Sequence, residues 1–467
     1  MKPHLFGPVQ PELLMYTKLL LFFLGGCALA VQAQQPASPF QLNQDSVLVQ
    51  LLHTQVKQRY QTDVAGLNGT YKKETEALYQ KRLEAIEESF SNREVLANTR
   101  AQAYLNGLAS VVFKANPQLD TAGLRLLFSR SWVPNAVSMG EGTIFFHIGL
   151  FLQLANESQA AFVICHELAH YYLNHSGRKI DRHVQTVYGD AFQKDLQRLQ
   201  KTEFGRNAQL ERMIKGLQFS TGRHSREFEY SADSMALELM HRAACNTKEA
   251  LAALAVLDSS DNVFKKPLPL QTLLGSNAYA FKAGWIEEEE FGFASRKISV
   301  EDEDSLKTHP DCTQRIQTLR DKAIAYHTPY ARTFIQSADE FKWLQQAFAE
   351  EQVRAAIESK QLSRGLFLSL AHLQAHPKSP VAAALLGDCL NQMYTHQKNH
   401  SLGKYIGQPH AANGAGYNQV LLLIRNIRLN ELAALAYHTL NRLHVYGRGH
   451  AYFEAILKQS QLNYITP

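Results

Sequence analysis

The stretch Ala160–His175 reads AAFVICHELAHYYLNH, and its reading decides the fold. The run is apolar without strand-like alternation, which predicts a buried helix. Within it, His166-Glu167-x-x-His170 sets two imidazoles four residues apart, on one face of such a helix. Imidazoles placed this way converge on one ion, and Glu167, next to His166, reaches a water on that ion. Asn156 is positioned to cap the helix, with Gln159 three residues on reaching back as in a capping box. An HExxH also arises by chance from two ordinary helix histidines, so a second cluster has to support it.

The second cluster follows Gly222, where a polar helical pattern breaks and Ser225 is set to cap a helix from Arg226 to about Arg242. The segment SREFEYSAD (225–233) carries Glu229-x-x-x-Asp233, again a pair on one helix face. Ala232, Met235, Ala236 and Leu239 make this helix amphipathic, so one side is buried, whereas two merely solvated acids would need no such side. A catalytic zinc takes three protein ligands and keeps one open position. The expected set is His166, His170 and Glu229 around one Zn2+ per chain. Asp233, one turn on, is placed to orient a zinc histidine by accepting its second ring N–H.

Ahead of the HExxH stretch, 123–129 (GLRLLFS) is strand-like, and 134–140 followed by 142–148 reads as turn, strand, turn, strand. A small sheet packed on an HExxH helix is the zincin layout. Its edge strand, Asn135, Ala136, Val137, Ser138 and Met139, would pair with an extended polypeptide substrate through main-chain hydrogen bonds.

HELAHYYLNH, then SREFEYSADSMAL, then THPDCTQRIQTL, in that order, resembles the soluble branch of the metallopeptidase family that contains the CAAX prenyl endopeptidase and the HtpX heat-shock protease. The resemblance covers about Gly123 to Leu319. It implies zinc on His166, His170 and Glu229, Glu167 as general base, and Asp233 as the group behind a ligand. It also implies a substrate-side strand and turn from Pro134-Asn135-Ala136 through Gly149-Leu150. In the third block, Thr308-His309-Pro310 with Arg315 downstream, His309 is implied as an oxyanion-stabilising catalytic group; equally, Thr-His-Pro can simply end a loop before the helix from Thr313 to Ala323. Two departures stand out. Ser231 occupies a position where the family commonly has a second acid, and it is expected to face away from the metal. The membrane helices of the two named relatives are absent.

The 467 residues suffice for two or three domains, and 45% hydrophobic with 19% charged residues is a globular balance. A formal net charge of +5 indicates no nucleic-acid partner and no strongly basic membrane face. Lys18 precedes the apolar segment Leu19–Val31, followed by Gln32-Ala33-Gln34, which reads as a signal peptide cleaved after Ala33. Leu24-Gly25-Gly26-Cys27 also reads as a lipobox that would leave Cys27 lipidated; plain cleavage is favoured because the apolar run continues past Cys27. Either way the expected location is periplasmic or extracellular. No later stretch has the ~18 uninterrupted apolar residues of a membrane span. Five cysteines make no disulfide scaffold; Cys245 and Cys312 either pair or stay separate buried thiols, and Cys165 reads as core.

The expected architecture is α+β, mainly α: signal peptide 1–33, N-terminal helical region 34–120, zincin-type catalytic domain 121–325, and an all-α, weakly repeat-like domain 326–467. The charged segment 71–96 is read as a solvated helix, 179–223 as a polar helical insertion serving as a lid, and 363–393 as a helix pair with one tetratricopeptide-like unit. The function expected is an exported zinc endopeptidase, with envelope protein quality control as its setting and client docking on the C-terminal helices. The alternative is a chaperone-like client-binding module whose zinc site is latent or structural.

Overall fold

The strands Arg125–Ser129 (β1), Ala136–Ser138 (β2) and Thr143–His147 (β3) form one sheet in a computed structural model that describes residues 45–201, 226–258, 264–287, 312–410 and 413–466. The order is β1-β3-β2: β1 runs parallel to β3 from Arg125 opposite Thr143 to Ser129 opposite His147, and β2 runs antiparallel with Val137 opposite Phe145. The β2–β3 turn uses Gly140 and Gly142, both at positive φ. A Cβ on Gly142 would lie 2.5 Å from the Gly123 carbonyl oxygen, so only glycine lets β1 and this turn approach.

LLF and IFF are nearly continuous apolar runs because both faces of the sheet are covered. Helices α1 (Ser46–Ala65), α2 (Lys72–Ser91) and α3 (Thr99–Ala115) precede the sheet. Leu126, Phe128, Ile144 and Phe146 enter a core shared with α3, whereas Leu127 and Phe145, one residue out of phase, meet Leu52, Val56, Leu83, Ile86 and Phe90 of α1 and α2. The charged segment read as solvated therefore has a buried side. Its Glu and Lys residues are the outer face of a helix whose Ile86 is fully buried, worth about 1.5–3 kcal/mol for that side chain.

After β3 come the one-turn α4 (Ile148–Phe151) and α5 (Glu157–Tyr172), the HExxH helix. Asn156 caps α5 by accepting from the Gln159 N–H at 3.0 Å, and Gln159 Oε1 reaches back to the Ala155 N–H, one residue earlier than a regular capping box. Glu157 in the first turn is fully buried. It accepts from Tyr104 Oη at 2.8 Å and from the N–H groups of Ile335, Gln336 and Ser337 at 2.6–2.8 Å. A carboxylate there also meets the positive end of the helix.

The chain continues through α6 (His175–Tyr188), α7 (Asp190–Lys201), α8 (226–242), α9 (Glu249–Asp258), α10 (Leu270–Leu274) and α11 (Cys312–Ala325). Then follow α12 (Ala338–Glu358), α13 (Leu362–Ala375), α14 (Pro380–Lys398), α15 (Ala415–Asn426), α16 (Leu429–Gly447) and α17 (Ala451–Ile465). The fold is α+β, mainly α. Helix α12 serves two cores: Phe341, Leu344 and Phe348 join α3, α5 and the sheet, while Val353 and Ile357 join α13–α17. Cys165, Cys245, Cys312 and Cys389 are buried, and Cys245 and Cys312 are not joined by a disulfide. No helix among the described residues is long and apolar enough to cross a membrane.

Candidate metal centre

Helix α5 presents His166 and His170 to Glu229 on α8. The two Nε2 atoms are 3.0 Å apart, and the Glu229 oxygens lie 3.4 Å from each of them. An ion held tetrahedrally at about 2.0–2.1 Å separates its ligands by roughly 3.3 Å. The three donors therefore stand where zinc would hold them, and they form a group that could bind a metal. Two imidazoles and one carboxylate, all buried, are also the donor chemistry that zinc takes.

The periodicity of α8 explains the placement. Phe228, Ala232, Ala236, Leu239 and Met240 bury one side of the helix, and Glu229 and Asp233 ride on the same side. Asp233 Oδ1 lies 2.9 Å from His166 Nδ1, behind the imidazole. Arg315 on α11 then closes the network with Nε to Asp233 Oδ2 and Nη2 to Oδ1, both at 2.7 Å, and Nη1 3.0 Å from Glu229 Oε2. It is among the largest fully buried side chains.

Charge decides the rest. Burial pushes the His166 imidazole down, but Asp233 and Glu229 outweigh it and raise it to about 9. Burial likewise works to raise the Asp233 carboxyl, yet Arg315 and His166 hold it below the usual value. Among the described residues Asp233 and Glu229 set two carboxylates against the Arg315 guanidinium, and the positive charge that balances the second carboxylate is either a proton on His166 or a cation held between unprotonated imidazoles.

Glu167 is buried, and its Oε2 accepts from the Ser138 N–H of β2 at 2.7 Å. The HExxH helix is thus bonded to the edge strand. Ala136, Val137 and Ser138 form that strand, Asn135 precedes it with its carbonyl accepting from the His147 N–H, and Met139 leaves it with its N–H bonded to Thr143 O. His309 and Ser225 lie outside the described residues, as do Leu19–Ala33, Cys27 and 202–223 of the polar insertion.

Two residues of this network carried little signal in the sequence. Arg315 was visible only as a downstream member of the THPDCTQR block. His175 was hidden because it lies five residues past His170, about 140° around a continuous helix. But α5 ends at Tyr172, Asn174 takes φ +51°, and the turn brings His175 Nδ1 to 2.9 Å from His170 Nδ1. Ser231 is correspondingly not idle: it makes no bond to the three donors but lies 3.2 Å from His175 Nε2.

An HExxH helix on a small sheet, with a glutamate from a second helix completing three zinc-type donors, defines a zinc metallopeptidase. Residues 99–323 match the model of peptidase family M48, and the domain they span belongs to that zinc-dependent family, whose members hydrolyse peptide bonds. No curated protein matches the chain.

Proposed function

We propose that the chain is an endopeptidase that cleaves polypeptides held extended along β2, with zinc on His166, His170 and Glu229 and with Glu167 as general base. The observation that supports this best is the bond from Ser138 N–H to Glu167 Oε2, which joins the base, the donor cluster and the peptide-pairing edge in one place.

When bound, zinc lowers the pKa of a water and polarises the scissile carbonyl. Residues of the chain do the remainder. Asp233, fixed by Arg315, holds His166 with Nδ1–H directed at the carboxylate, so that Nε2 keeps a lone pair for the ion. Main-chain groups of β2 pair with the substrate and restrict its geometry. Glu167, anchored through one oxygen, takes the proton of the attacking water and passes it to the leaving amine, an effect usually worth about 10²–10⁴-fold.

Glu167→Gln is expected to keep zinc and lose hydrolysis of an unfolded protein such as casein. A variant with full activity would remove the assigned base. Addition of a chelator to the wild type should abolish the same cleavage.

Export is by signal-peptide cleavage after Ala33, with lipidation of Cys27 as the alternative; the intact mass of the mature protein distinguishes them. Residues 326–467 are assigned to client docking, supported by the exposed apolar side chains Val445, Tyr446, Leu462, Tyr464 and Ile465. Serines at Val445, Leu462 and Ile465 should slow cleavage of a protein client and leave that of a short peptide unchanged. Equal slowing of both would remove the docking role.

A further inference from the structure

His166 has Asp233 behind it; among the described residues, the group that meets His170 Nδ1 is an imidazole, not a carboxylate. What stands there is a chain of three groups. His170 Nδ1 is 2.9 Å from His175 Nδ1, His175 Nε2 is 3.2 Å from Ser231 Oγ, and Ser231 Oγ is 3.0 Å from the carbonyl oxygen of Phe228. The far end fixes the direction of every bond, because a carbonyl only accepts. Ser231 O–H therefore donates to Phe228 O, His175 Nε2–H donates to Ser231 Oγ, and His175 Nδ1 is left with a lone pair. That lone pair accepts from His170 Nδ1–H, so His170 must present an unprotonated Nε2 to Glu229 and His166.

We propose that His175, set by Ser231, is a positioning residue that selects the metal-binding tautomer of His170 through an uncharged relay. Packing holds the relay in place. His175 is buried, and its ring stacks on Phe228 with centroids 4.3 Å apart and planes at 14°. Because Phe228 adjoins Glu229 in sequence, the relay also ties the segment after α5 to the helix that supplies the third donor. Its neutrality is a consequence of Ser231; the acid expected at this position from the family resemblance would place a charge there instead.

The inference rests on the reading that His166, His170 and Glu229 hold zinc, and the test separates the two. Zinc affinity of the purified full chain is measured by competition with a chromophoric chelator for the wild type, Glu229→Ala, His175→Phe, His175→Asn and Ser231→Ala. His175→Phe keeps an aromatic ring against Phe228 and removes both bonds, so affinity should fall about 10–100-fold, the usual effect of losing the group behind a ligand. His175→Asn, whose Oδ1 can take the place of the Nδ1 lone pair, should recover most of that loss. Ser231→Ala, at an exposed position, should weaken zinc by about 3-fold.

Unchanged affinity in His175→Phe overturns the relay if Glu229→Ala has lost zinc; if Glu229→Ala also binds normally, the donor assignment itself fails. A complete loss in His175→Phe equal to that of Glu229→Ala, with the apoprotein still folded, overturns positioning and makes His175 a ligand. Should His175→Phe not fold, Ser231→Ala decides alone, and wild-type affinity there overturns the relay.

Discussion

Replacing Arg315 tests the electrostatic frame of the centre without touching a proposed ligand. The guanidinium makes two bonds of 2.7 Å to a fully buried Asp233 and lies 3.0 Å from Glu229. Charge-assisted bonds are each worth about 1.5–3 kcal/mol, but they are not additive when one group makes them all. Removing one partner of a buried ion pair typically costs about 3–5 kcal/mol, because the other charge is left uncompensated. Arg315→Met fills similar volume, so a cavity adds little, and the metal-free protein should lose about that amount. Arg315→Lys should restore less than half, since an ammonium cannot span both Asp233 oxygens and reach Glu229. The assay is denaturant unfolding of chelator-treated protein, run as a cycle with Asp233→Asn. In the Asp233→Asn background the Arg315→Met cost should shrink markedly. A loss below about 1 kcal/mol, or the same loss in both backgrounds, would refute the reasoning.

Other expectations follow from buried groups away from the centre. Glu157→Gln replaces an acceptor of four hydrogen bonds with a group that turns one donor against another, and should cost about 2–4 kcal/mol in unfolding experiments. Wild-type stability there would remove the assigned link between α5 and the start of α12. Glu350 on α12 is buried with Arg354 and His372 facing it, and burial, against Arg354, pushes its carboxyl up to about 7. The folded state thus keeps a proton that the unfolded state gives up near its ordinary value. This contribution is harmless below about pH 4.5, erodes stability as pH rises to about 7, and is constant above. Glu350→Gln should gain on the wild type by about 3 kcal/mol between those limits. A pH-independent difference between the two would show that Glu350 is ionised in the fold throughout.

Both i, i+4 pairs were legible because helical period alone fixes which side chains share a face: His166 with His170, and Glu229 with Asp233. The strands were legible from LLF and IFF. The cover on the second face of the sheet was not. Leu83, Ile86 and Phe90 are spaced for one helix side, but dense Glu and Lys around them match a solvated helix equally well, and only the sheet decides. Contacts that depend on breaks in the chain were also out of reach. His175 meets His170 only because Asn174 adopts a left-handed turn, and Arg315 meets Asp233 only through the packing of α11. Similarly, α12 lodges half its length among α3 and α5, which no local pattern in its sequence announces.

Hydrolysis by this chain requires three donors from two helices to hold one ion. Metal analysis of dialysed protein tests this directly: about one zinc per chain in the wild type and essentially none in Glu229→Ala is the predicted result. One zinc per chain retained in Glu229→Ala would contradict it.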